Sequence, residues 1–143
     1  MIAFYPIKPV YSERILTGEK TYELRKRLPK LNVKYVLIYS TTPVARVVGY
    51  AKVKAFHKAP INELWTLVNE QAGICFQDYQ EYFANNKDAC AIELYEVRKF
   101  ARPFIVSDIR DGFSVPQSYC YVDTKTFNRL KRRKSEAVCL NTA

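Results

Sequence analysis

The sequence predicts an α+β fold, a small and mostly antiparallel β-barrel with peripheral helices. Three observations predict it. Most strand-like segments are joined too closely for parallel crossovers, and no βαβ repetition is present. A long alternating run from Val44 to Phe56 carries Gly49 near its middle, where a barrel corner needs a bend or bulge. Helical periodicity is confined to short stretches between and after the strands. A chain of 143 residues with an apolar share of 48% suits one domain with a sizeable core, expected over residues 1–134, with a flexible tail over 135–143.

The elements follow in order. Ile2 to Ile7 reads as a strand. Pro9 suits the first turn of a helix and Gly18 its end, with Val10, Ile15 and Leu16 as an apolar stripe. A second strand runs from Lys20 to Arg27. After Pro29 the pattern resumes as a compact apolar strand from Val33 to Tyr39, closed by the turn residues Ser40 to Pro43. In the run from Val44 to Phe56, Ala45, Val47, Gly49, Ala51, Val53 and Ala55 share one parity. Arg46, Lys52 and Lys54 lie on the other, giving one tightly packed face and one mixed, basic face. Helices are expected over Ile61 to Asn69, opened by Pro60, and over Phe76 to Asn85. Cys90 to Val97 is a strand, and Pro103 to Pro116 is irregular with one helical turn. Ser118 to Val122 is the last strand. A final helix runs from Thr124, its cap, to Lys134, with Phe127 and Leu130 inward.

The net charge of +9 is segregated. Residues 1–34 hold eight basic and three acidic side chains, and 35–61 hold four basic and none acidic. Residues 62–96 hold one basic and seven acidic, and 124–143 return to six basic and one acidic. This pattern predicts a surface facing a polyanion, with an acidic back; accidental clustering on a solvated surface is the plainer alternative. No apolar run is long enough to span a bilayer, and the amino terminus lacks the pattern of a signal peptide. A cytoplasmic, membrane-free protein is expected. Cys75, Cys90, Cys120 and Cys139 have no metal-ligand spacing, and His57 is the only histidine. Free thiols and no structural zinc follow, and nothing in the sequence requires a cofactor. Most of the 11 tyrosines suit half-buried positions with a wet hydroxyl, although tyrosines also stack on nucleobases.

The most informative stretch is Gly18 to Arg27. A helix ends and a strand starts at once, with five ionisable side chains between Lys20 and Arg27. Strand alternation sets Thr21, Glu23, Arg25 and Arg27 on one face and Tyr22 and Leu24 on the other. A fixed row of a carboxylate and two guanidinium groups suits a ligand that carries phosphates and base edges.

Ile7-Lys8-Pro9, then Ile15-Leu16-Thr17-Gly18-Glu19-Lys20-Thr21 with Glu23 and Arg25, resembles the signature of the ASCH domain family. The segments Ile38-Tyr39-Ser40-Thr41 and Pro116-Gln117-Ser118 add to the likeness, which covers roughly residues 1–123. These domains are small barrels of the PUA-like superfamily. The resemblance implies a cleft beside the first helix that receives RNA or a nucleoside, with Lys8, Lys20, Thr21, Glu23, Arg25 and Ser118 at matching positions.

The candidate nucleic-acid-binding set is therefore Lys8, Lys20, Glu23, Arg25, Arg27, Tyr39, Arg46, Lys52 and Ser118. Each has a plainer alternative. Lys20 fits a solvated strand start, and Glu23 with Arg25 fits a structural ion pair. Ser118 fits a bond to neighbouring backbone. Arg46, Lys52 and Lys54 either extend a phosphate track or face water. The run Lys131 to Lys134 is either an electrostatic arm or a helix end favoured by the macrodipole.

The leading reading is a noncatalytic RNA- or nucleoside-binding module, regulatory in role, with a basic cleft formed by the Gly-Glu-Lys-Thr strand. The alternative is a ribonuclease or nucleoside amidohydrolase using the same cleft. If the protein is an enzyme, Lys20, Glu23 and Thr21 are the catalytic candidates, and a metal-free ribonuclease would also draw on Tyr39 and Ser118. The amidohydrolase type within the family has Lys-Thr-x-Thr, with the second threonine as nucleophile. Here the run is Lys20-Thr21-Tyr22-Glu23, so a glutamate stands at that place and Thr21 is a displaced substitute. A third reading is a module whose basic face meets an acidic protein partner; no particular partner is indicated.

Overall fold

The computed structural model describes residues 1–132. The expected 135–143 tail, Arg133, Lys134 and Cys139 lie outside the described residues. Six strands form one sheet: β1 (Ile2–Ile7), β2 (Tyr22–Arg25), β3 (Tyr35–Ser40), β4 (Arg46–Pro60), β5 (Asp88–Phe104) and β6 (Cys120–Val122). The helices are α1 (Pro9–Thr17), α2 (Ile61–Val68), α3 (Phe76–Phe83) and α4 (124–132), with a 3-10 turn at Val106–Asp108. None is long and apolar enough to cross a membrane.

The strand order is β2-β5-β4-β3-β1-β6, and every pairing is antiparallel except β1 with β3. That parallel pair is separated in sequence by α1 and β2, which supply the length a crossover needs. The expected mixed α+β class holds, but the sheet is not closed into a barrel. Four-residue β2 and three-residue β6 are the two ends of the strand order, and no ladder joins them.

Three clusters fill the core. Phe4, Tyr50, Phe100, Phe104, Phe113, Phe127 and Leu130 pack on one side of the sheet, beneath α4. Tyr5, Ile7, Ile15, Val36, Ile38 and Ile92 form a second cluster that seats α1. Leu64, Val68, Tyr79 and Phe83 of α2 and α3 pack on Tyr22, Leu24 and Ala91 as a third. Burying an aromatic or leucine side chain of this kind stabilises by roughly 1.5–3 kcal/mol.

The single parity expected along β4 breaks at Gly49. Ile38 faces Gly49 and Tyr39 faces Val47, so Val48 is an extra residue. Val47 accordingly packs with the aromatic cluster, and Ala51 and Val53 with the α1 cluster. A Cβ on Gly49 would lie 2.5 Å from the Arg98 carbonyl oxygen and 2.9 Å from Leu16 Cδ2, so glycine permits this close approach of α1 and β5. At α4 the cap is Asp123 and not Thr124. Asp123 accepts from the Thr126 N–H at 2.7 Å and from the Thr126 hydroxyl at 2.9 Å, and these bonds hold its carboxyl below the usual carboxylate range.

Candidate functional site

A cleft of about 610 Å³ opens where the end of β1, the start of α1, β2 and α3 meet. Its construction starts at Gly18, whose left-handed φ of 87° ends α1 and turns the chain sharply into β2. The Lys20 N–H then donates to the Arg14 carbonyl, and the Thr21 N–H to the Gln71 carbonyl, which docks the α2–α3 loop.

Lys20 is only 2% exposed, so it is no solvated strand-start lysine. Its ammonium donates to the Ala72 carbonyl and sits 5.3 Å from the Tyr11 ring centre. Gly73, at φ +64°, lies on its aliphatic stem, where a Cβ would come within 2.6 Å of Lys20 Cβ. Burial pushes the Lys20 pKa below the ordinary lysine value, with the Glu23 charge pulling the other way.

Alternation on β2 turns Glu23 and Arg25 to the same side. They form an ion pair, with Arg25 Nε and Nη2 both 2.9 Å from Glu23 Oε2. Arg25 Nη2 also donates to the Pro6 carbonyl at 2.7 Å, and Nη1 to the Ser118 carbonyl at 3.3 Å. Its guanidinium carbon lies 4.7 Å from the Tyr5 ring centre. Arg25 thus bridges β2 to β1 and to the segment entering β6, across the gap that no ladder closes. Of its five N–H donors these contacts use four. Glu23 Oε1 makes no hydrogen bond among the described residues. The structural ion-pair alternative therefore describes this pair accurately, yet both residues also line the cleft.

The rest of the lining is mixed. Lys8 is exposed at the N-terminal end of α1. Pro6, Ile7, Leu24 and Ile74 supply apolar surface, and Tyr11 and Tyr82 supply rings. Burial pushes both phenols up in pKa; the Asp78 charge adds to the Tyr11 shift, and Arg25 opposes that of Tyr82. Asp78 and Glu81 of α3 line the same hollow. The acidic segment expected to form a back is therefore one wall of the cleft. Lys8, Lys20 and Arg25 face three carboxylates there, so the hollow is not simply electropositive.

The cleft thus gathers Lys8, Lys20, Glu23 and Arg25 from the expected set. Ser118 is exposed and reaches the group through its backbone carbonyl. Thr21 turns its hydroxyl to Gln71 Oε1 at 3.3 Å and does not line the cleft. Arg27 is exposed past the end of β2. Tyr39 is buried on the other side of the sheet, its ring 5.6 Å from Phe4, because β3 alternation gives the cleft side to its neighbours. Arg46 is exposed at the start of β4 and bonds the Ala45 carbonyl. Lys52 pairs with Glu96 at 2.6 Å and Lys54 with Glu93 at 3.7 Å, so the supposed phosphate track on β4 is partly neutralised. His57 is held by Glu93 at 2.9 Å and lies off the cleft.

Sequence reasoning missed Tyr11, Asp78, Glu81, Tyr82 and the Ala72–Gly73 clamp. The available signal was spacing. Residues 78, 81 and 82 share a helix face, and Tyr11 stands three positions after Lys8. Among the described residues no three His, Cys, Asp or Glu side chains gather as metal ligands.

The ASCH domain model matches residues 6–104. An ASCH domain-containing ribonuclease from Zymomonas mobilis is 32% identical over 127 residues, covering 85% of this chain and 84% of that protein. The crystal structure of ASCH from Zymomonas mobilis superposes with a TM-score of 0.84 at 29% identity, over 92% of this chain and 94% of that one. The N-terminal domain of Staphylothermus marinus McrB reaches 0.64 at 11% identity, over 92% and 93% of the two chains, a likeness of fold alone. With the family model covering more than half its length, this chain belongs to the ASCH domain family.

Proposed function

We propose that the protein binds single-stranded RNA by taking one nucleotide into the cleft. The observation that carries this reading is the convergence of Lys8, Lys20, Glu23 and Arg25 with the rings of Tyr11 and Tyr82 around a hollow of about 610 Å³. The aromatic and apolar surfaces suit a base, the free Glu23 oxygen and the remaining Arg25 N–H suit its edge, and exposed Lys8 suits a phosphate at the rim. Family membership and the ribonuclease name of the Zymomonas mobilis relative support an RNA ligand. A cytoplasmic setting goes with this reading.

Anisotropy titration of a labelled RNA oligomer tests it. Binding is expected at low salt, and Lys8→Ala should flatten the slope of log K against log salt by about 0.7, the contribution of one phosphate on a single strand. Absence of RNA binding at low salt, or chemical-shift changes confined to surfaces away from the cleft, would refute it.

The relative's name favours a second reading, cleavage of the bound RNA. In that reaction the 2′-oxygen attacks the adjacent phosphorus as Glu23 takes its proton. The bond to the 5′-oxygen breaks as the Lys20 ammonium protonates it, leaving a 2′,3′-cyclic phosphate. Burial favours the proton loss asked of Lys20. The amidohydrolase form gains no support, since the Thr21 hydroxyl is turned to Gln71. Mass spectrometry of RNA incubated with the protein should find the cyclic product, and Lys20→Met and Glu23→Gln should each abolish it. Intact RNA, or undiminished cleavage by either variant, removes this second reading.

A further inference from the structure

We infer that Asp78 and Glu81 make the cleft select nucleobases that present an exocyclic amine over those that present a carbonyl in its place. The inference rests on the nucleotide-binding reading above and names the chemistry of what that site admits.

The two acids stand one helical turn apart on α3, and both line the cleft together with Tyr82. Asp78 makes no hydrogen bond or ion pair among the described residues, and Glu81 is touched only by the Gln77 amide at 3.4 Å. Neither is neutralised by the cations of the cleft. Lys20 is committed to the Ala72 carbonyl, and Arg25 to Glu23, Pro6 and Ser118. Ionised carboxylates accept hydrogen bonds and cannot donate them. With Glu23 Oε1, the hollow offers a base edge carboxylate acceptors from both β2 and α3.

A base carrying an amine supplies the donor that this wall lacks. Adenine and cytosine do so with two amine N–H bonds; hypoxanthine and uracil, of the same ring sizes, place carbonyl lone pairs at the corresponding position and keep one ring N–H beside them. A carbonyl against the α3 acids is repelled and offers them no donor at that position, which rejects the wrong ligand as well as favouring the right one. The same charges keep phosphate away from α3 and leave it the end of the cleft marked by Lys8.

The experiment is a titration by calorimetry with two matched pairs of 5′-monophosphates, of adenosine against inosine and of cytidine against uridine. The amine member of each pair should bind about tenfold more tightly, as one good base-edge contact allows. In the Asp78→Asn/Glu81→Gln double variant the preference should fall to about twofold or less. Both positions are exposed, so the variant keeps its fold, which circular dichroism checks. Equal binding within each pair by the wild type, with binding itself retained, overturns the inference and leaves the nucleotide-binding reading standing. A preference that survives in the variant overturns the assignment to α3. Failure of the wild type to bind any of the four, or labelled RNA, removes the underlying reading as well.

Discussion

Gly73→Ala tests the clamp on Lys20. A residue other than glycine at φ +64° costs about 1–2 kcal/mol in a left-handed conformation. The new Cβ would also stand 2.6, 2.8 and 3.0 Å from Cβ, Cγ and Cδ of Lys20. The closest of these atoms is fixed to the backbone, so a rotamer change cannot relieve the whole clash. Overpacking of this kind adds about 1–3 kcal/mol. Together the loss should be about 2–5 kcal/mol. Gly112→Ala is the control, because Gly112 has φ +73° and nothing within 4 Å of a built Cβ. It carries the conformational cost without the crowding. Urea unfolding of both variants, with unchanged m-values, measures the difference directly. Gly73→Ala should be the less stable by at least about 1 kcal/mol, and Lys20→Ala should shrink that gap. Equal midpoints for the two glycine variants would show that the loop does not confine the lysine.

Three further outcomes are expected. Arg25→Lys replaces a fork by a single point charge and should cost about 2–3 kcal/mol, with faster amide exchange at β6; unchanged exchange there would deny Arg25 its bridging role. Lys20 has a folded pKa below its ordinary 10.5, so the unfolded chain holds more protons between the two values. Wild-type stability should therefore gain on Lys20→Met as pH rises through that window, and unfolding curves that stay parallel throughout would count against the burial of a charged lysine. Asp123→Ala should lower the melting temperature at neutral pH, and the deficit should fade as acid takes the wild type through the depressed Asp123 pKa; a deficit that persists in acid would contradict the cap.

Where the sequence could be read, local chemistry was decisive. Pro9 and Gly18 bracket α1 because each fits a helix end for backbone reasons alone. The alternation in Tyr22 to Arg25 separates Tyr22 and Leu24, which pack with α2 and α3, from Glu23 and Arg25, which pair with each other in the cleft. Other features depend on partners that a single strand does not announce. Val48 is an extra residue only with respect to β3, so the face change in β4 could not be seen along β4 itself. β5 continues to Phe104 past Glu96, whose positive φ interrupts the period that was expected to end the strand at Val97. Tyr39 sits next to Ser40 in a matching motif, yet adjacent strand residues point opposite ways. Asp78 and Glu81 look like solvent-facing helix residues because the wall of an open cleft is also wet. Barrel closure failed for a related reason, since two short strands at opposite edges of the sheet offer no pattern that says whether they meet.

A seam held by side chains, here Arg25 and the Tyr121 hydroxyl that accepts from the Leu31 N–H, behaves differently from one sewn by backbone. Its longest stitch, to the Ser118 carbonyl, is also the easiest to give up when a competing acceptor arrives. Any guest that takes Arg25 from that carbonyl therefore loosens one of the ties between the sheet's two margins.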